Sequence, residues 1–235
     1  MITFYGGPTP NGRKVAILLE ELELSYAYRG VDILAGDQFE PGFLALNPNN
    51  KMPVIVDPDA PGGELVLWES GAILWHLAET RGRFLPVEPR ARAVCHQWLM
   101  FQMSGVGPMF GQNAHFSFYA EEKHPYAIAR YANEVDRLLR VLDERLAESR
   151  FLAGDAYTIA DIATYPYTLR QADTRRTEWV NLARWSDEIG ARPAVRRGMD
   201  VGREELRKET IEGGLAGLTD DQRSILFGAR QYRRR

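Results

Sequence analysis

One cysteine, Cys95, is all the thiol chemistry the chain carries. A disulfide within the chain is therefore impossible, and a CxxC redox pair or a cysteine-rich zinc site is excluded. A reducing, cytoplasmic compartment fits that usage. Cys95 lies beside Val94 and Trp98 in a helical pattern and reads as a buried, inert thiol. An excess of charge is also lacking. The 29 basic and 32 acidic residues leave a net charge of −3, which gives no reason to expect nucleic acid or an anionic membrane as partner.

Long apolar runs are scarce. Met1 leads straight into a strand-like run, without the basic-then-apolar order of a signal peptide. Residues 93–120 hold no Asp, Glu, Lys or Arg, yet His96, Gln97, Gln102, Ser104, Pro108, Gln112, Asn113 and His115 make them too polar to span a membrane. That stretch reads as a buried helix end plus a loop facing a cleft. No metal-ligand set is identified. A length of 235 residues allows one large or two modest domains.

Two patterns divide what is present. Residues 1–80 alternate strand and helix signals. Ile2–Tyr5 reads as a strand, and the turn Gly6-Gly7-Pro8-Thr9-Pro10-Asn11-Gly12 follows it. Val15, Leu18, Leu19 and Leu22 then mark one face of a helix. Tyr26–Val31, Val54–Val56 and Val66–Trp68 read as further strands, and Glu69-Ser70 opens a helix carrying Ile73, Leu74 and Leu77. The order is β-α-β, a loop, then β-β-α. After a linker near residues 81–88 the pattern is helical over 89–197. Ile128, Tyr131, Val135, Leu138, Leu139, Leu142 and Leu146 form the stripe of a helix of about six turns. Thr158-Ile159-Ala160-Asp161 has the spacing of a capping box, so Asp161 reads as a cap rather than a catalytic acid. Residues 198–235 form an extension whose fold is left open between a short helix packed back on the body and a disordered tail. Its terminal Arg233-Arg234-Arg235 reads as a solvated end.

Three features of the first 80 residues point to chemistry. The turn at Thr9 and Asn11 offers a hydroxyl and an amide, but no Cys, Ser, His or carboxylate. It can donate hydrogen bonds, and any nucleophile there must come from the ligand. In Asn49-Asn50-Lys51-Met52-Pro53, a cis bond before Pro53 would turn the Met52 backbone outward to pair with an extended peptide. At Glu69-Ser70, the free amides and dipole of a helix start suit a carboxylate, and the Glu69 side chain suits an ammonium. Together they describe a site for a short peptide with a free α-amino-carboxylate end.

With those residues in hand, the chain resembles the glutathione S-transferase superfamily. The likeness rests on Asn47–Val56, Glu69–Ala78 and Tyr157–Ile162 and runs to about residue 200. Within the superfamily it looks like the nu-class bacterial branch and the folded domain of the yeast nitrogen-regulatory prion protein. Pro8–Gly12, Asp37-Gln38-Phe39 and Gly107–Asn113 carry that closer likeness.

The resemblance implies a thioredoxin-like α/β domain over residues 1–80 and an all-helical domain over 89–197. It also implies a homodimer, and glutathione as co-substrate with no metal. Thr9 and Asn11 would then hydrogen-bond the glutathione sulfur, Met52 beside cis-Pro53 would pair with the cysteinyl backbone, and Glu69 and Ser70 would hold the γ-glutamyl end. Gln38 and Lys51 would lie near the glycyl carboxylate, and Asn113 and Arg130 would reach a second glutathione or the product disulfide. Tyr5 reads as a core residue of the first strand rather than a thiol activator.

The implied activity is glutathione-dependent disulfide reduction. One alternative is conjugation of glutathione to an electrophile held by Phe110, Phe116, Phe118 and Tyr119. Another is a non-catalytic glutathione-binding regulatory protein on the same scaffold.

Overall fold

The computed structural model describes residues 1–203 and 218–232. Four strands form one sheet in the order β2-β1-β3-β4: β1 (Ile2–Gly6), β2 (Tyr26–Gly30), β3 (Val54–Asp57) and β4 (Leu65–Trp68). β1 pairs parallel with β2 and antiparallel with β3, and β3 pairs antiparallel with β4. The parallel pair needs a crossover, which α1 (Pro10–Glu21) supplies. Pro10 at the first turn lacks an N–H that the helix would leave unpaired anyway. Val15, Ile17, Leu18 and Leu19 are fully buried on α1, and Ile73, Leu74 and Leu77 on α3 (Ser70–Arg81).

The loop expected between β2 and β3 contains a 3-10 turn at Asp37–Phe39 and the short helix α2 (Pro41–Leu46). Six residues are too few to show a 3.6-residue periodicity, so the pattern gave no sign of α2.

The helical half holds α4 (Pro89–Phe101), α5 (Gly107–Ala114), α6 (Pro125–Glu148), α7 (Ile159–Thr174), α8 (Val180–Gly190) and α9 (Pro193–Asp200). The loop expected within residues 93–120 is instead helical throughout. A π-type turn at Gln102–Val106 joins α4 to α5 in one rod, and a second at His115–Tyr119 extends α5. The Gly107 N–H reaches back five residues to the Gln102 carbonyl. That wider turn lets the rod pass Pro108, whose ring would collide with the carbonyl four residues back in a regular α-helix. The stripe on α6 is as read, with Val135, Leu138, Leu139, Leu142 and Leu146 buried.

The two patterns share one apolar core, which runs unbroken from Ile2 and Phe4 through α1 to Trp185 and Val195. α9 lies directly against α1. A Cβ at Gly198 would sit 2.5 Å from Ile17 Cα, and Arg192 forks onto the buried Glu21 carboxylate. Gly198→Ala would push α1 and α9 apart, at a cost of about 1–3 kcal/mol for overpacking. We expect a melting temperature several degrees lower by calorimetry, and an unchanged transition would show that the helix contact yields freely.

Of the extension, α10 (Asp220–Phe227) and a 3-10 turn at Ala229–Tyr232 are packed back on the body. Readings that fall on residues 204–217, and on Arg233-Arg234-Arg235, lie outside the described residues. Among the described residues no helix is long and apolar enough to cross a membrane.

Candidate functional site

Thr9 is the N-cap of α1. Its Oγ1 accepts from the Gly12 N–H at 3.3 Å, which leaves the hydroxyl proton free to donate elsewhere. A Cβ at Gly12 would stand 2.1 Å from the Gly7 carbonyl oxygen, so only glycine closes this turn. Asn11 Oδ1 accepts from the Tyr167 hydroxyl at 3.0 Å and, in a long contact of 3.5 Å, from Ser70 Oγ. With its oxygen so engaged, the Asn11 side chain has its N–H₂ group left to donate. Burial pushes the Tyr167 phenol up to about 12, so it is a donor at neutral pH.

Beneath this turn lies a residue that the pattern reading passed over. Lys14 is 1% exposed. Its Nζ donates to Gln102 Oε1 at 2.7 Å, Ser70 Oγ at 3.3 Å and Met103 Sδ at 3.4 Å, and it sits 4.9 Å from the Tyr167 ring centroid. Burial lowers its pKa to about 7, with the Glu69 charge opposing. A signal was available, because Lys14 stands four residues before Leu18, on the apolar stripe.

The Met52–Pro53 bond is cis, as the sequence reading expected. Met52 packs with Tyr5, Val31, Phe43 and Val54 in a small second core. Tyr5 therefore serves packing, edge-on to Phe43. Glu69 takes φ 71° and ψ 112° at the N-cap of α3, conformational strain of about 1–3 kcal/mol for a residue with a side chain. That twist leaves the Glu69 carboxylate exposed beside the buried Ser70.

Gln38 is buried. Its Nε2 donates to the Ile33 carbonyl at 3.2 Å, and its Oε1 has no partner. Lys51 is exposed, and its Nζ donates to Gln231 Oε1 at 3.1 Å. Gln231 belongs to the returning C-terminal segment. The segment also rests Phe227 against His115 and Tyr119, and Arg223 donates to the Tyr119 carbonyl.

Next to the turn opens a cavity of about 700 Å³, walled by Pro10, Phe110, Asn113, Phe118, Tyr119 and Tyr167 among others. Phe116 is not on that wall and stacks on Tyr131 instead. The structure brings Thr9, Asn11, Ser70 and Asn113 to one region. Arg130 does not join them. It projects from the exposed face of α6 and pairs with Glu134 at 3.7 Å. The sequence cannot reveal which side of α6 faces the cavity at that turn. Cys95 is fully buried in α4, its thiol pushed up by burial. Asp161 caps α7 and takes no part in the cavity. Among the described residues no group of three or more His, Cys, Asp or Glu is placed to hold a metal ion.

A mixed four-stranded sheet, a cis-proline at a strand entry, donors at helix starts and a helical second half define a thioredoxin-like protein with a donor-rich site at the sheet's edge. Residues 1–79 match the family model for the glutathione S-transferase N-terminal domain, and residues 125–197 that for the C-terminal domain. The disulfide-bond oxidoreductase YfcG of Escherichia coli is 49% identical over 203 residues, covering 83% of this chain and 93% of the relative. A Pseudomonas fluorescens glutathione transferase family member with two glutathione bound superposes with TM-score 0.80 at 45% identity, covering 84% of this chain and 92% of that one. A Pseudomonas putida glutathione transferase with one glutathione disulfide bound per subunit gives TM-score 0.80 at 42% identity, covering 85% and 91%. The chain belongs to the glutathione S-transferase family.

Proposed function

We propose that this protein is a cytoplasmic, homodimeric, glutathione-dependent disulfide-bond oxidoreductase that uses bound glutathione thiols and no cysteine of its own. The observation that carries this reading is the donor turn at Thr9 and Asn11 beside a cavity of about 700 Å³, with the chain's single thiol sealed in α4. The relatives' oxidoreductase name and their bound glutathione, paired or oxidised, support it.

In this reading residues 1–80 bind glutathione. Residues 89–197 wall the second half of the site, and the described end of the extension, residues 218–232, rests against Lys51, His115 and Tyr119. Met52 pairs with the cysteinyl backbone. Glu69 and Ser70 hold the γ-glutamyl end, Gln38 and Lys51 lie toward the glycyl end, and Asn113 faces the second thiol.

A free thiol has a pKa near about 8.5, and the thiolate is the nucleophile. Donors from Thr9 and Asn11 and the positive end of α1 favour the thiolate without a protein base. The glutathione thiolate attacks one sulfur of a substrate disulfide, forming a mixed disulfide and expelling a substrate thiolate. A second glutathione thiolate attacks the glutathione sulfur of that mixed disulfide, releasing oxidised glutathione and the second substrate thiolate.

The first test is reduction of 2-hydroxyethyl disulfide coupled to glutathione reductase, where steady turnover is expected. The aromatic wall of Phe110, Phe118 and Tyr119 favours a second reading, conjugation of an apolar electrophile. Conjugation of an aryl halide with no disulfide turnover would replace the first reading with that one.

A further inference from the structure

Lys14 is a fully buried charged group beneath the site whose chemistry the exchange reaction leaves unused. An ammonium buried to this degree is costly unless it is paired. Its hydrogen-bond partners here, Gln102, Ser70 and Met103, are all neutral. Among the described residues no carboxylate comes within ion-pair distance of it. The groups that face it can be named element by element. Glu69 and Ser70 face it from the start of α3, Gln102 and Met103 from the first π turn, and Tyr167 from α7. Of these only Glu69 and Tyr167 titrate. Glu69 is the carboxylate that the proposed function gives to the ligand's ammonium.

One hydrogen bond and one ring contact link Lys14 to the two ends of the proposed ligand site. It donates to Ser70 Oγ, whose single proton lies toward Asn11 Oδ1 in a long contact of 3.5 Å and would turn to an anion on binding. It also lies against Tyr167, whose hydroxyl orients the Asn11 amide. We propose that Lys14 is a positioning residue whose ammonium is neutralised through Ser70 by the ligand's γ-glutamyl α-carboxylate, so that glutathione binding draws a proton onto Lys14. This rests on the reading that glutathione occupies the Glu69–Ser70 helix start.

The sign follows from linkage. With its pKa lowered to about 7 in the free protein, Lys14 is partly deprotonated at pH 7.5. An anion bound nearby raises that pKa and completes the protonation. Binding therefore takes up protons, and affinity falls as pH rises above about 7.

The test is calorimetric titration of the whole chain with S-methylglutathione at pH 7.5, in buffers of different ionisation enthalpy. This ligand has no thiol proton to release. We expect the wild type to take up about half a proton or more per site. Lys14→Arg, which keeps the charge but cannot titrate, is expected to bind with uptake near zero and a flatter pH profile. Lys14→Met is expected to bind at least about tenfold more weakly at pH 6.5, where most of the wild-type Lys14 is protonated. Circular dichroism melts identify a variant that does not fold, and the wild-type proton count stands without either variant. Tight binding by the wild type with no proton uptake, or with uptake equal to that of a folded Lys14→Arg, would overturn the role of Lys14 and leave glutathione binding standing. No binding of S-methylglutathione at all would overturn the site reading and this role together.

Discussion

In the Thr9→Ala/Asn11→Ala double variant, kcat/KM for glutathione-dependent disulfide reduction is expected to fall by at least about 10-fold, or about 1.4 kcal/mol of transition-state stabilisation. These two side chains are the donors at the turn that opens α1. The Thr9 oxygen is occupied by the Gly12 N–H and the Asn11 oxygen by Tyr167, which leaves the donor side of each group for a sulfur anion. Alanine at both removes those donors and keeps only the helix dipole. The loss should appear chiefly at low pH, where the thiolate is scarce without help. Thr9→Ala also removes an N-cap worth about 1 kcal/mol of stability, so Thr9→Ser is the control. The serine variant keeps both cap and donor and should retain most activity. A double variant with unchanged steady-state kinetics would end the assignment of these side chains to the sulfur.

Asp161→Ala is expected to produce the largest loss of stability, with little direct effect on the chemistry. The Asp161 carboxylate is fully buried and accepts from four donors: the Leu152 and Thr158 N–H groups, the Thr158 hydroxyl and the Trp185 indole, at 2.9–3.0 Å. It thereby ties the loop before α7, the first turn of α7 and α8 to one point. Burial raises its pKa, and the four donors pull the other way. Alanine would orphan all four donors in the core. Breaking such a buried network costs about 3–5 kcal/mol. For a chain of this size that is a drop in melting temperature on the order of 10 °C. Asp161→Asn should recover little, because its NH₂ would face donors. A melt of Asp161→Ala within a degree or two of wild type would refute the staple. Loss of activity in a variant with an unchanged melt would instead revive the reading of Asp161 as a catalytic acid.

Much of this was legible in the chain. The β-α-β then β-β-α order, the Thr158–Asp161 cap and the α6 stripe all rest on neighbours within a turn or two, where the period of the pattern reveals the element. The cis bond at Pro53 and the buried state of Cys95 were legible too. Two readings failed for related reasons, and a third concerns a residue placed apart from the turn. Residues 93–120 look loop-like because Gly105, Gly107 and Pro108 disfavour a regular helix, yet two π turns carry the helix through. α2 is too short to show a period. Arg130 sits on the right helix but on its solvent side, which only the packing of α6 decides.

The sequence by itself determined the fold class, the family and the three stretches from which the proposed site is built, because each of these is written in residues close together along the chain. What only the tertiary structure decided is how those stretches are wired. Lys14 meets Gln102 across 88 positions, Asn11 meets Tyr167 across 156, and Lys51 meets Gln231 across 180. No local period or motif encodes such pairs. They exist because one continuous core brings α1, α3, α7 and the α4–α5 rod around the same point, and there the shared burial leaves a lysine with only neutral hydrogen-bond partners among the described residues.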